Sequence, residues 1–292
     1  MEMRCSTVGR AGRTRPPTNL ADVRIVRFAS PQGMSFGVLD GDGQVAQIEG
    51  HPFGRISFTG ARYAQADVRL LSPILPSKVV GVGKNYAAHI AEMNTGEAPK
   101  EPLLFLKPST SVIGPGDAIR IPPGSTNVHH EAELAVVIGA RGARHVTPEQ
   151  AAASIFGYTI GNDVTERDMQ KSDGQWTRAK GFDSFCPIGP WIETDLPGLG
   201  LDPADLEVTC TVDGELRQKG RTSQLIFDVP TLISYISQIM TLLPGDVILT
   251  GTPSGVGPIR PGQRVDITIE GLGTLSNTVA AADVVSTAGG AR

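Results

Sequence analysis

The sequence predicts a β-dominated α+β fold with a sheet-rich core. Its 292 residues include 35 Gly and 22 Pro against only 5% aromatics, a composition of frequent turns rather than long helices. A turn-plus-strand unit recurs three times, at Pro115-Gly116 to Ile121, Pro244-Gly245 to Leu249 and Pro261-Gly262 to Ile269. In each, Pro then Gly fits the centre of a type II turn and the residues after it are strand-like. From Val23 to Val68, short apolar runs alternate with Gly, and Asp40-Gly41-Asp42-Gly43 reads as a hairpin turn. Helices are few: Asn85 to Met93, Pro148 to Ile155 behind Thr147 as cap, and Thr222 to Leu243 with apolar residues at helical spacing. Gly81-Val82-Gly83-Lys84 lacks the remainder of either phosphate-loop pattern, so a nucleotide-binding sheet is not expected.

Ser72-Pro73 marks a junction. The expected organisation is a disordered basic extension over 1–20, a small N-terminal β subdomain over 21–72, a larger domain over 73–287 and a tail over 288–292. The extension carries Arg4, Arg10, Arg13 and Arg15 with one acid, Glu2. Gly9, Gly12 and Pro16-Pro17 deny it the amphipathic face of an organelle transit peptide. The net charge of −4 and pI near 5.8 give no reason to expect nucleic acid or an acidic membrane surface as partner. No apolar run is long enough to span a bilayer. Cys5, Cys186 and Cys210 are odd in number and widely spaced, which fits a reducing cytoplasm better than a disulfide framework.

The chemistry-bearing residues begin with Glu131 and Glu133 in His129-His130-Glu131-Ala132-Glu133-Leu134. On a strand they point the same way. A third acid, Asp163, follows the apolar run Ile155 to Ile160. Acids crowded beside buried apolar sequence repel one another unless a cation neutralises them. Three oxygen ligands without a nearby Cys suit Mg²⁺ or Mn²⁺ rather than Zn²⁺. His89 and Glu92 lie three apart on a predicted helix, where the carboxylate orients the imidazole as a general base; alone, such a pair is a solvated helix face. Arg167 and Gln170 read alone as surface polar residues, and Lys180 among apolar neighbours either stabilises a developing anion or snorkels to solvent. The Gly-rich turn after Leu249 presents the Thr252 hydroxyl and backbone N–H groups, or is merely a tight turn.

The order of these motifs resembles the fumarylacetoacetate hydrolase family. The resemblance runs from about Leu71 to Val285, through Gly83-Lys84-Asn85-Tyr86-Ala87-Ala88-His89, Phe105-Leu106-Lys107-Pro108, His129 to Leu134, Gly157 to Asp163, Ala179 to Asp183 and Leu249 to Pro253. It implies a mixed β-sandwich roll, a homodimer and one Mg²⁺ or Mn²⁺ per chain. It assigns the metal to Glu131, Glu133 and Asp163, the catalytic dyad to His89 and Glu92 on a mobile lid, and substrate contact to Arg167, Gln170, Lys180 and Thr252. The expected substrate is a small keto acid. Mg²⁺ and Lys180 would stabilise a pyruvate enolate while the dyad activates water, giving C–C hydrolysis of an acylpyruvate. Oxaloacetate decarboxylation and isomerisation of a 2-hydroxyhepta-2,4-diene-1,7-dioate use the same residues and stand as alternatives. The distal-group pocket that separates them is expected from Met93 to Pro99 and the N-terminal subdomain. A metal-free binding module, which would tolerate loss of Glu131 or His89, is the non-enzymatic reading.

Overall fold

The computed structural model describes residues 23–93 and 96–282; the basic extension and the tail lie outside the described residues. Strands come first: β1 (Arg24–Ser30), β2 (Gly33–Leu39), β3 (Gln44–Ile48), β4 (Phe58–Ala64), β5 (Arg69–Leu71) and β6 (Val79–Gly83). After the short helix α1 (Ala87–Met93) come β7 (Leu103–Lys107), β8 (Val112–Ile113), β9 (Ala118–Ile121), β10 (Val128–His130) and β11 (Ala132–Ile138). The middle of the chain is α2 (Pro148–Ala151), β12 (Ile155–Asn162), β13 (Thr165–Glu166), α3 (Arg167–Ser172), α4 (Thr177–Lys180) and β14 (Cys186–Glu193). The rest is β15 (Glu207–Val212), β16 (Glu215–Arg221), α5 (Val229–Ile239), β17 (Val247–Leu249), β18 (Gly257–Pro258), β19 (Arg264–Ile269) and β20 (Gly273–Ala281). The fold is strand-dominated, as the turn-rich composition predicts.

A twelve-stranded sheet runs β4-β3-β2-β1-β14-β12-β11-β17-β6-β7, with β5 pairing β1 and β8 pairing β14. The strands before Ser72 extend this sheet through the antiparallel β1–β14 pair. A five-stranded sheet, β16-β15-β19-β20-β9, and a three-stranded one, β13-β10-β18, complete the set. Parallel pairs β17–β6, β20–β9 and β14–β8 make the sheets mixed.

β11 is buried on both faces. Leu134, Val136 and Ile138 pack into one core with Val208, Ile267 and Leu275 of the five-stranded sheet and with Leu232, Ile233 and Ile236 of α5. Ala135 and Val137 join the other core, with Ile25, Ile188, Ile192 and Leu249. Two-sided burial explains why this strand reads as a nearly unbroken apolar run rather than an alternation.

The three Pro-Gly turns form as expected, with positive φ at Gly116 (77°), Gly245 (86°) and Gly262 (92°), the conformation that position requires. The Asp40 turn also forms: the Asp40 carboxylate accepts from the Asp42 and Gln44 amides. The starts of α1 and α5 differ from the sequence expectation for one shared reason. Asn85 is buried and does not start α1; its amide donates to the carbonyls of Phe227 (3.0 Å) and Thr250 (2.8 Å), and its oxygen accepts from Phe227 N–H (2.8 Å). Tyr86 pairs with Leu225 as an isolated bridge, and the chain bends at residues 226–227 beyond it. α5 therefore begins only after Asp228, whose side chain caps Thr231 N–H at 2.9 Å. It stops at Ile239, and Leu242 pairs with Ala143.

Asn85→Ala strips hydrogen bonds from the buried Thr250 carbonyl and from both part-buried backbone groups of Phe227, and is expected to cost about 2–3 kcal/mol. The check is a denaturant titration, in which the midpoint drops while the slope holds. A midpoint equal to wild type would show that Asn85 does not tie these segments together.

Candidate active site

Glu133 lies in β11, opposite Gly161 of β12. Glu131 does not sit in a continuous strand with it: it occupies the break between β10 and β11. There its N–H donates to Asn162 Oδ1 (3.0 Å) and its carbonyl accepts from Asp163 N–H (2.9 Å). That exchange brings Asp163, just past β12, level with both glutamates. Carboxylate oxygens of Glu131, Glu133 and Asp163 all lie within 4.8 Å of one another, and all three residues are buried.

Three buried cations face them. Lys180, at the end of α4, donates to Glu131 Oε2 (2.8 Å) and Asp163 Oδ2 (2.5 Å). Arg167, at the start of α3, donates to Glu131 Oε1 (2.5 Å) and to Gln170 Oε1 (2.8 Å). Lys107, at the end of β7 and fully buried, donates to Asp163 Oδ1 (2.5 Å) and the Val164 carbonyl (3.1 Å). Glu133 is served differently: Oε2 accepts from Gly251 N–H at 2.7 Å. Gly251 adopts φ 108°, and a Cβ there would lie 2.8 Å from Asn85 Cβ, so the bare backbone is required.

These surroundings split the three acids. Burial raises the Glu131 carboxyl, but Lys180 and Arg167 outweigh it and hold Glu131 well below the ordinary carboxylate range. Burial and the charges of Asp163 and Glu131 push Glu133 well above that range, against a smaller pull from Lys180 and Gly251 N–H. Burial opposes the Lys180 ammonium, yet Asp163 and Glu131 raise its pKa. Convergent oxygen donors, one of them still repelled by its neighbours, fit a hard divalent cation.

The other expected residues gather on the same cleft. His89, Arg167, Gln170, Lys180 and Thr252 line it with the three acids, joined by Lys84, Phe105, Lys171 and Trp176. Its volume is about 230 Å³ among the described residues. His89 Nδ1 lies 3.3 Å from Glu92 Oε2, and both Glu92 oxygens accept from Gly255 N–H, at 2.9 and 3.1 Å. Glu92 stands behind His89 rather than among the cleft-lining residues. Of the expected lid, residues 94 and 95 lie outside the described residues.

With this geometry in hand, the comparisons are decisive. Residues 78–280 match the family described as fumarylacetoacetate (FAA) hydrolase, C-terminal, and residues 23–73 match one described as Rv2993c-like, N-terminal. The chain belongs to the fumarylacetoacetate hydrolase family. It is 57% identical over 263 residues to protein Rv2993c of Mycobacterium tuberculosis, covering 88% of this chain and 98% of that one. It is 49% identical over 217 residues to the mitochondrial oxaloacetate tautomerase of Oryza sativa, covering 72% and 92%. Among solved structures, the 2-hydroxyhepta-2,4-diene-1,7-dioate isomerase of Mycobacterium marinum superposes with a TM-score of 0.81 at 52% identity, covering 89% and 98%. The protein is thus a fumarylacetoacetate hydrolase family enzyme with a mixed-sheet fold of that family.

Lys107 is the functional-site residue that sequence reasoning passed over. It stands within Phe105-Leu106-Lys107-Pro108, and a Lys on an apolar strand was the available signal, but only the fold shows it meeting Asp163. Gln218 gave no signal at all. Its amide donates to Thr252 Oγ1 and the Pro253 carbonyl, each at 2.7 Å, and its oxygen accepts from Ala132 N–H at 3.0 Å. It therefore fixes the Thr252 turn to the start of β11.

Two predictions follow from the unequal acids of this family member. Glu133→Gln keeps an acceptor for Gly251 and removes the repulsion. The metal-free protein should gain stability on the order of 1 kcal/mol, while the stabilisation by Mg²⁺, about 2.7 kcal/mol at a hundredfold excess over Kd, should vanish. Thermal melts with and without Mg²⁺ decide, and a retained Mg²⁺ shift would remove Glu133 from the ligand set.

The second concerns pH. Glu133, raised in the folded protein, binds its proton more tightly than the unfolded chain does. Its contribution to stability is greatest in acid and falls as pH climbs through the raised pKa. Glu131, held low, contributes above the ordinary carboxylate range and loses that contribution as pH falls. A cation held by the three acids would need Glu133 as carboxylate, so Mg²⁺ affinity should rise with pH through the Glu133 titration, with about one proton released per ion. Calorimetry in buffers of differing ionisation enthalpy should show that release in wild type and lose it in Glu133→Gln.

Proposed function

We propose that the protein is a divalent-cation-dependent enzyme that interconverts the keto and enol forms of a short dicarboxylic 2-oxo acid of the oxaloacetate type. The observation that carries this is the charge of the cleft. Arg167, Lys171 and Lys180 line it against Glu131, Glu133 and Asp163, so a divalent cation leaves a surplus of positive charge suited to a dianion. A volume of about 230 Å³ lies below the range usual for drug-sized ligands, which favours a short acid.

Glu131, Glu133 and Asp163 would hold Mg²⁺ or Mn²⁺, which would supply Lewis-acid charge favouring the enolate. Arg167 and Lys180 bind and orient the oxo-acid head, and Arg167 Nε, buried without a partner among the described residues, is a donor available to a carboxylate. Lys180 places a fixed positive charge where enolate charge develops. Thr252 Oγ, held by the Gln218 amide, adds a polar contact at the same wall. Glu92, anchored by Gly255 N–H, engages Nδ1 of His89 and leaves Nε2 to take or return the proton at the carbon beside the oxo group. The tautomerase and isomerase among the relatives both have names that describe proton shifts of this kind, which supports the reading.

Hydrolysis of an acylpyruvate is the second reading. The Glu92 side chain is one-third exposed, so water has access to the dyad. Exposed Leu103 and Leu106 on edge strand β7 support a homodimer as the working unit, and the buried free thiols of Cys186 and Cys210 support action in a reducing cytoplasm.

The test offers oxaloacetate, acetylpyruvate, fumarylpyruvate and a 2-hydroxyhepta-2,4-diene-1,7-dioate with Mg²⁺ or Mn²⁺ and an EDTA control, following enol absorbance and pyruvate release separately. Metal-dependent keto–enol exchange of oxaloacetate without pyruvate is expected, and His89→Ala should slow it by about 10²–10⁴. Pyruvate from oxaloacetate would make the enzyme a decarboxylase. Pyruvate from an acylpyruvate above all other turnover would make it a hydrolase, and full activity of His89→Ala would overturn the role of the dyad.

A further inference from the structure

Lys180 has contacts on its other side. Its ammonium sits 4.7 Å from the centroid of the Phe105 ring and 6.0 Å from that of Trp176, the outer limit of a cation–π contact. The two rings meet edge to face, with centroids 5.5 Å apart at 62°. Trp176 is also tied to Lys180 through the backbone: it is the N-cap of α4, and Lys180 N–H closes that single turn on the Trp176 carbonyl at 2.9 Å. The loop carrying the indole is clamped by Arg178, which donates twice to Asp173, at 2.7 and 2.5 Å.

The opposite wall is shaped to admit both rings. A Cβ on Gly81 would lie 2.2 Å from Phe105 Cζ, and one on Gly83 would lie 2.6 Å from Trp176 Cζ3. Neither glycine has positive φ, so space rather than backbone conformation explains them. A lysine ammonium on a four-carbon stem has many positions open to it. Here acids fix it on one side and aromatic faces on the other.

We propose that Trp176 is a positioning residue for Lys180: it braces Phe105 edge-on and caps the turn that carries the lysine, so that the ammonium is held at the place where enolate charge develops. The inference rests on the role given to Lys180 above. It adds a residue that acts through Lys180 and not by contact with the reacting atoms.

The test uses Trp176→Leu, Trp176→Phe and Gly83→Ala in the full chain with Mg²⁺. With oxaloacetate, Trp176→Leu should lower kcat on the order of tenfold, with KM, melting temperature and the Mg²⁺-induced melting shift near wild type. Trp176→Phe should recover most of the loss. Gly83→Ala keeps the indole but displaces it, and should lower kcat in the same way. A rise in KM with kcat unchanged would mean that the indole contacts substrate, and would overturn the proposal. So would wild-type kcat in both Trp176→Leu and Gly83→Ala, or, where Trp176→Leu does not fold, wild-type kcat in Gly83→Ala.

Indole emission supplies a readout independent of turnover. The other tryptophan, Trp191, packs with the N-terminal cluster beside Arg24 and Gly273. Adding Mg²⁺ with oxalate, a planar dianion resembling an enolate, should change emission in wild type and not in Trp176→Phe. If that change occurs while oxaloacetate is not turned over, the proposed function fails and the aromatic seat stands. If emission is the same in Lys180→Met as in wild type, before and after Mg²⁺ and oxalate, the seat itself is refuted.

Discussion

Three carboxylates buried within reach of one another are the constraint on which the rest of this structure depends. Left alone, Glu131, Glu133 and Asp163 would repel one another in a medium that solvates none of them. The fold answers with Lys107 from β7, Arg167 from α3 and Lys180 from α4, each delivered by a different element. The answer is uneven. Asp163 has a lysine on each oxygen and Glu131 has Lys180 and Arg167, whereas Glu133 has one backbone N–H. This incomplete neutralisation is what the proposed divalent cation would complete.

The scaffold around this cluster is correspondingly unyielding. Glu133 and Ala135 share one face of a strand buried on both sides, and Gly161 opposite Glu133 has no room for a Cβ, which would meet Leu249 Cδ2 at 2.4 Å. Buried polar side chains, Asn85 and Gln218, hold the loops that no ladder holds. Lys84 occupies φ 58° beside the cleft, a conformation that costs a non-glycine residue about 1–3 kcal/mol when the surroundings enforce it. Such strain collects where function fixes a backbone, and Asn85 next to it supplies the enforcing hydrogen bonds. Catalysis here is a matter of charges placed in advance, so loose loops would forfeit most of what the buried acids cost.

The groups proposed for proton transfer and for charge stabilisation are separated in space. The acids and their cations lie on the sheet and on α3 and α4, while His89 and Glu92 belong to α1, which Glu92 ties to the far loop by accepting from Gly255 N–H. A rigid electrostatic half and a lighter proton-handling half allow substrate to enter between them. Related proteins with different reaction names share this architecture, so the fold alone does not name the reaction.

The sequence by itself determined the strand-rich class, the three Pro-Gly turns, the Asp40 hairpin and the residue types of the acid triad, because each is a short-range matter of turn chemistry or spacing. The starts of α1 and α5 were not legible, since Asn85 and Leu225 spend their hydrogen bonds on each other's segments, 140 positions apart in the chain. Nor was the strand break at Glu131, which exists because its carbonyl is claimed by Asp163. Lys107 looked like a strand lysine and Gln218 like nothing in particular until the sheets stacked. Only the tertiary structure decided which cations meet which acids, and with that which of three similar carboxylates carries the unmet charge. Burial and Coulomb energies depend on distance through space, and no local pattern in the chain encodes that distance.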